Sequence, residues 1–264
     1  MKTNDIYLCS FPKSGVTFFS FLFAAARLRF NGIAMKPTMY NIDYLVVDTH
    51  KMAGVPTGSV WRDGFGDLYK SHNPFFAVPN VIYVLRNPID ALRSYHHFRR
   101  QLGATDSALQ FLGGPEGAGA WIRHVRSWLL DNRTATQSIF VTQYEDLLAD
   151  PRGELRALGA QLGIEFDDAT IEFAVEAARI ERMRADEDAY ARRNPVYAQF
   201  NLEFVRKGEA RAAAEFTPQL IAAVEPHVMP VYEMARARIA ARAGRGADAP
   251  AAGAPAAARV VALA

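Results

Sequence analysis

Near the N-terminus, the run Phe11-Pro12-Lys13-Ser14-Gly15-Val16-Thr17-Phe18 places a lysine, two hydroxyls and a glycine in one tight turn. Between a strand and a helix, such a turn exposes successive backbone N–H groups at the positive helix end, which suits a phosphate or sulfate. Lys13 adds a point charge, and Ser14 and Thr17 add donors. The run is not the GxxxxGK[ST] loop of nucleoside-triphosphate enzymes, because Lys13 precedes Gly15 and no spaced glycine pair occurs. Taken alone, it also accommodates an ordinary strand-to-helix turn with a solvated lysine. A second set is Arg86-Asn87-Pro88 followed by Ser94. A guanidinium fork and a hydroxyl near one strand end can share a phosphate. A third is Tyr69-Lys70-Ser71-His72-Asn73-Pro74. Of the histidines, His72 is best placed to act as a general base, with Lys70 two residues earlier and so on the same face of a strand. The fourth, Phe204-Val205-Arg206-Lys207-Gly208, sets two adjacent cations beside a flexible glycine; in isolation it reads as a solvated basic turn. For His50, His96, His97, His124 and His227 a surface or packing role is the default.

The elements that must position these groups follow from apolar periodicity and from Pro and Gly punctuation. Residues 6–11 read as a buried strand and residues 17–30 as a helix, so the opening unit is strand, tight loop, helix. Residues 81–85 form a second strand, with Pro88 well placed as the first residue of a helix to about Arg99. Residues 139–142 make a third strand, followed by Tyr144-Glu145-Asp146 and a helix from Pro151 to near Gly163. Residues 67–71 read as a short extended run ahead of His72. Alternating strands and helices imply an α/β domain, a central parallel sheet flanked by helices, with its ligand site beyond the carboxyl ends of the strands. All four sets fall at such ends or beside them. The glycine-rich segments 54–66 and 103–119 read as surface loops, and residues 217–241 as an amphipathic helix interrupted at Pro226 and Pro230. Residues 1–242 read as one domain, and residues 243–264, rich in Ala, Gly and Pro, as a low-complexity tail.

Composition bounds the partners. The chain has 264 residues, is 50% hydrophobic and 22% charged, and carries a formal net charge of +2. That balance suits a globular domain and offers no global field for nucleic acid or an anionic membrane, so any basic site is local. Of the 30 basic residues only Lys2, Lys13, Lys36, Lys51, Lys70 and Lys207 are lysines. A retained lysine then marks a place where a compact ammonium is wanted in preference to a planar fork. The single Cys9 cannot form an intramolecular disulfide, and no Cys/His spacing suggests a metal, which fits a reducing, cytoplasmic setting. The apolar run at residues 16–26 mimics a signal peptide, but the strand-like Ile6-Tyr7-Leu8-Cys9 and the turn at Pro12 precede it, and it is too short to span a membrane.

Taken together and in order, the four sets resemble the sulfotransferases that use 3′-phosphoadenosine 5′-phosphosulfate (PAPS), over roughly residues 5 to 220. Phe11 to Phe18 is similar to that family's 5′-phosphosulfate loop, [YF]PKSGTTW; Arg86 and Ser94 match its 3′-phosphate element, and Lys70-Ser71-His72 its K[TS]H. Tyr144-Glu145-Asp146 resembles its YED segment, whose tyrosine lies by the adenine, and Arg206-Lys207-Gly208 its late RKG. The resemblance implies a three-layer P-loop-type fold and metal-free, in-line transfer of a sulfuryl group to a hydroxyl or amine of a small acceptor, with 3′,5′-ADP as product. It implies His72 as general base, assisted by Lys13 and Lys70. The cofactor would be held by Lys13, Ser14, Gly15, Val16, Thr17, Phe18, Arg86, Ser94, Tyr144, Arg206, Lys207 and Gly208. The alternative is a catalytically inactive nucleotide-binding relative. The chain departs from the pattern at Val16 (Thr in the family), at Phe18 (Trp), at Ala178-Arg179-Ile180 (often Thr-Ser-Phe), and after Gly208, where Gly-Asp-Trp is missing. Trp61, Phe65, Tyr69, Phe75, Phe76 and Tyr95 are expected to supply apolar surface for the acceptor. The sequence carries no dimer motif that would set the oligomeric state.

Overall fold

A computed structural model of the chain describes residues 3–49, 61, 63–131, 138–194 and 215–246. Five strands, β1 (Ile6–Cys9), β2 (Val46–Asp48), β3 (Leu68–Ser71), β4 (Asn80–Leu85) and β5 (Ser138–Gln143), pair in parallel in the order β2-β3-β1-β4-β5. The chain builds one side of β1 first and then crosses to the other, so the sheet changes direction at β1. In such sheets the crevice beyond the strand ends at the change of direction is where ligands bind.

Both sheet faces are covered, as parallel strands require. Side-chain alternation assigns Ile6, Leu8, Ile82 and Val84 to one core, and Tyr7, Cys9, Val81, Tyr83 and Leu85 to the other. The first core is closed by α1 (Val16–Phe30), with α7 (Pro151–Leu162) and α8 (Asp168–Ala177) packed on it. Every residue of α1 from Phe19 to Leu28 is buried, so the signal-like run is a core helix, apolar around its whole circumference. The second core is closed by α3 (Pro88–Gln101), α5 (Ala118–Val125) and a long C-terminal helix, α10 (Pro218–Gly246). Cys9 is fully buried there, and burial pushes its thiol far up, which removes it from redox chemistry.

The helix signals act where local chemistry is strong. Pro88 opens α3 and the Asn87 side chain accepts from the Ile89 and Asp90 N–H groups; Asp150 caps α7, which ends on a left-handed Gly163. Two expectations need correcting. Residues 103–119 are not a plain loop: Ser107 and Gln110 form a capping box that starts α4 (Ala108–Gly113), whose Phe111 and Leu112 are buried, and α5 begins at Ala118. Residues 217–241 are not interrupted either. Helix α10 runs through Pro226 and Pro230, which lie on its exposed face, so the carbonyls left without a helical N–H meet water while Val228, Val231, Tyr232 and Ala235 are buried. Four short or weakly patterned helices, α2 (Ile42–Leu45), α6 (Tyr144–Ala149), α8 and α9 (Ile180–Ala191), and the three-residue β2 carried no readable signal. The calls on residues 54–60, on Arg206-Lys207-Gly208 and on the tail beyond residue 246 lie outside the described residues.

Candidate active site

Strand register builds the site. Cys9 is paired with Ser71, and the Ser10 N–H bonds to the Ser71 carbonyl at 3.2 Å, so the chain leaving β1 and the chain leaving β3 emerge side by side. The residues that follow are Ser10 and His72. The His72 Nδ1 lies 2.9 Å from the Ser10 carbonyl oxygen and 3.4 Å from the Ser10 hydroxyl. A carbonyl only accepts, so Nδ1 carries the proton in the neutral ring and Nε2 carries the lone pair. On the other side of β1, Leu85 is paired with Gln143, which sets Arg86 beside Tyr144. The Arg86 guanidinium lies 4.5 Å from the Tyr144 ring centroid and donates from Nη1 to the Lys13 carbonyl at 2.8 Å.

The loop between β1 and α1 is bent by two left-handed residues, Lys13 at φ 64° and Gly15 at φ 96°. Gly15 is obligatory on two counts: the positive φ, and the Tyr144 ring, into which any Cβ would project. Ser14 is buried and its N–H returns to the Phe11 carbonyl at 3.3 Å. Gly15 is the N-cap of α1, the first turn holds Val16, Thr17 and Phe18, and among the described residues no side chain caps this end and no acidic group sits in it. Its N–H groups and the helix dipole therefore favour an anion. The Arg86 Nε–H is buried with no acceptor among the described residues. A buried, orphaned guanidinium donor next to an uncapped helix start fits an anionic nucleotide. The Lys13 ammonium lies 4.7 Å from the Phe98 ring centroid, and Ser94, one turn before Phe98 on α3, shares that side of the helix.

Lys70 is held by a partner the sequence reading missed. Asp48 is registered opposite Lys70, and its Oδ2 lies 3.2 Å from Nζ with both side chains mostly buried. The terminal Asp of Val-Val-Asp was the available signal, hidden because the strand is too short to show a period. The aromatic expectation holds in part. Tyr69 stacks on Tyr7 at 4.9 Å, Phe76 meets Tyr7 edge-on at 5.7 Å and Tyr95 meets Phe11 at 5.7 Å, all on the His72 side of the sheet. Trp61 and Phe65 belong instead to the opposite core, where Trp61 covers Arg27 at 4.2 Å.

Behind His72 lies His124, 3% exposed and hydrogen-bonded through Nδ1 to the Tyr83 hydroxyl at 2.9 Å. Burial, and then the neighbouring His72, hold its pKa down from 6.5 to about 3. Below about pH 6.5 the unfolded chain takes up a proton here that the folded chain refuses until about pH 3. Stability therefore falls on acidification, by about 2 kcal/mol from this group between about pH 7 and about pH 5. Urea unfolding at those two values should show the loss, and His124→Phe should flatten it; an equal slope in that variant would refute the assignment.

The fold defines a class, a three-layer α/β domain of P-loop type with a tight glycine-containing loop after β1. The chain belongs to the sulfotransferase family: the family model described as "Sulfotransferase domain" matches residues 3–233. It is 27% identical over 230 residues to sulfotransferase 1A1 of Canis lupus familiaris, covering 78% of this chain and 76% of that protein. Sulfotransferase 1C2 of Oryctolagus cuniculus is 24% identical over 209 residues, 69% of this chain and 67% of that protein. Among solved structures, a mouse sulfotransferase complexed with PAP superposes with a TM-score of 0.59 at 18% identity, covering 92% of this chain and 90% of that one. Retinol dehydratase with androsterone and inactive cofactor PAP gives 0.61 at 18% identity, covering 88% of this chain and 81% of that one. The protein is thus a sulfotransferase enzyme. Among the described residues no helix is long and apolar enough to cross a membrane.

Proposed function

We propose that the protein transfers the sulfuryl group of PAPS to a hydroxyl or amine of a small acceptor, with His72 as general base. The observation that carries this reading is the His72 Nδ1 contact to the Ser10 carbonyl, 2.9 Å, which puts the ring proton on Nδ1 and leaves the lone pair on Nε2, beside the start of the loop that leaves β1. Bound PAPS supplies the activated sulfuryl group and leaves as 3′,5′-ADP. His72 Nε2 takes the proton of the acceptor O–H or N–H as that atom attacks. The N–H groups of Gly15, Val16, Thr17 and Phe18, with the Ser14 hydroxyl and Lys13, stabilise negative charge at the 5′ end. Lys70, held by Asp48, adds positive charge beside His72. Arg86 and Ser94 would hold the 3′-phosphate and Tyr144 would flank the adenine; the resemblance adds Arg206, Lys207 and Gly208 to the phosphate's ligands. Tyr69, Phe75, Phe76 and Tyr95 offer the acceptor an apolar wall, in keeping with relatives crystallised with retinol and androsterone.

Thermal unfolding tests the cofactor. Without magnesium, 3′,5′-ADP at about 100 times its Kd should stabilise the protein by about 3 kcal/mol, and ATP with magnesium by much less. Release of 3′,5′-ADP from PAPS only when a phenol, alcohol or amine is added identifies the transfer. Equal stabilisation by ATP would sink the 3′-phosphate assignment.

A further inference from the structure

Helix α5 does not stop at Val125 but widens into a π-helical turn, Arg126–Leu130, closed by the Asp131 N–H on the Arg126 carbonyl at 2.7 Å. Such turns are rare and are often found at functional sites. Two consecutive side chains of this turn reach the same short segment, residues 73–76, which directly follows His72. Ser127 Oγ accepts from the Phe75 N–H at 3.1 Å and donates to the His124 carbonyl at 2.9 Å. Trp128 Nε1 donates to the Asn73 carbonyl at 3.0 Å, and its ring meets Phe75 and Phe76 edge-on at 5.0 and 5.6 Å. Asn73 and Pro74 are exposed, while Trp128 is 2% exposed. The sheet holds the segment at the Asn73 N–H, which donates to Ser71 Oγ at 3.2 Å, and at Phe76, which meets Tyr7 edge-on; the turn adds the bonds to the Asn73 carbonyl and the Phe75 N–H. On the opposite side, the His72 ring is tied to Ser10.

We propose that Ser127 and Trp128 are positioning residues: they fix the main chain after His72 and thereby hold Nδ1 on the Ser10 carbonyl, keeping the lone pair on Nε2. Adjacent residues of a regular α-helix point about 100° apart, so the widened turn lets both side chains serve one segment. The proposal rests on the reading of His72 as general base, and the test below keeps the two separable because it needs no turnover.

The experiment is nitrogen NMR of protein labelled with ¹⁵N-histidine, the His72 signals being assigned by their loss in His72→Ala. In the unsubstituted protein the neutral His72 ring should be mainly the Nδ1–H tautomer. Ser127→Ala should shift the tautomer ratio about fivefold toward Nε2–H, the value of one hydrogen bond, and Ser127→Thr should restore it. Trp128→Phe, which keeps an aromatic ring but removes the N–H together with part of the indole, should shift it likewise and provides a second reading should Ser127→Ala fold poorly. Stabilisation by 3′,5′-ADP should be unchanged in all three, since the anion loop is built by other elements. An unchanged tautomer ratio in both Ser127→Ala and Trp128→Phe overturns the proposal, whatever turnover measurements show for His72.

Discussion

Replacing His72 by alanine is expected to lower kcat by about a hundred- to ten-thousandfold, the usual contribution of a positioned general base. Binding of 3′,5′-ADP should survive almost intact. The reason is architectural. His72 stands at the end of β3, whereas the proposed anion site consists of the loop before α1, Arg86 at the end of β4 and Tyr144 at the end of β5. The imidazole bonds to the Ser10 carbonyl oxygen at 2.9 Å, a hydrogen bond worth about 1 kcal/mol to the fold. A wild-type rate of 3′,5′-ADP release in His72→Ala would remove the residue from the role. Loss of nucleotide binding together with turnover would show that the two sites are not independent.

Arg27→Ala is expected to destabilise the fold by about 3–5 kcal/mol, because it leaves a buried carboxylate without its counter-ion. Both Arg27 and Asp63 side chains are 0% exposed, and the pair is bidentate, Nε to Oδ2 at 2.7 Å and Nη2 to Oδ1 at 2.5 Å. Burial pulls the guanidinium below its ordinary value, and Asp63 opposes the change. Arg27 Nη1 also donates to the Gly66 carbonyl at 3.3 Å, and Asp63 accepts from Asn31 and from the Phe65 N–H. One helix of the core thus fastens the chain entering β3, the strand that carries Lys70 and delivers His72. Arg27→Lys keeps the charge but not the fork, so it should retain only part of the stability. Urea titration decides the point: a loss below about 1 kcal/mol in Arg27→Ala would mean that the pair is easily replaced.

Much of the proposed anion site was legible because its residues lie close together in sequence. The Pro-Lys-Ser-Gly loop, the Arg-Asn-Pro helix start and the Lys-Ser-His triplet each sit within a few residues at a strand end, and the structure brings the loop, Arg86 and Tyr144 into contact. Readings based on composition fared worse. Glycine content suggested a loop at residues 103–119, where a capping box and buried Phe111 and Leu112 make a helix, and the two prolines of α10 proved harmless because they face water. Two apolar residues assigned to the acceptor wall, Trp61 and Phe65, went to the other side of the sheet, since nothing local to them records which face the chain will cross.

The sequence by itself determined the strand-loop-helix unit at the N-terminus, the residue types clustered at the strand ends and the family to which they belong. Each depends on interactions within a few positions of the chain, where propensity and capping act. Tertiary structure alone decided the partners: Asp48 for Lys70, Ser10 for His72, Asp63 for Arg27, and Ser127 and Trp128 for the segment after His72. These pairs join groups 22 to 62 positions apart, and their identity is set by strand register and by the direction in which a crossing chain packs. No local pattern encodes that choice, because it arises only when the sheet forms and its two faces are covered.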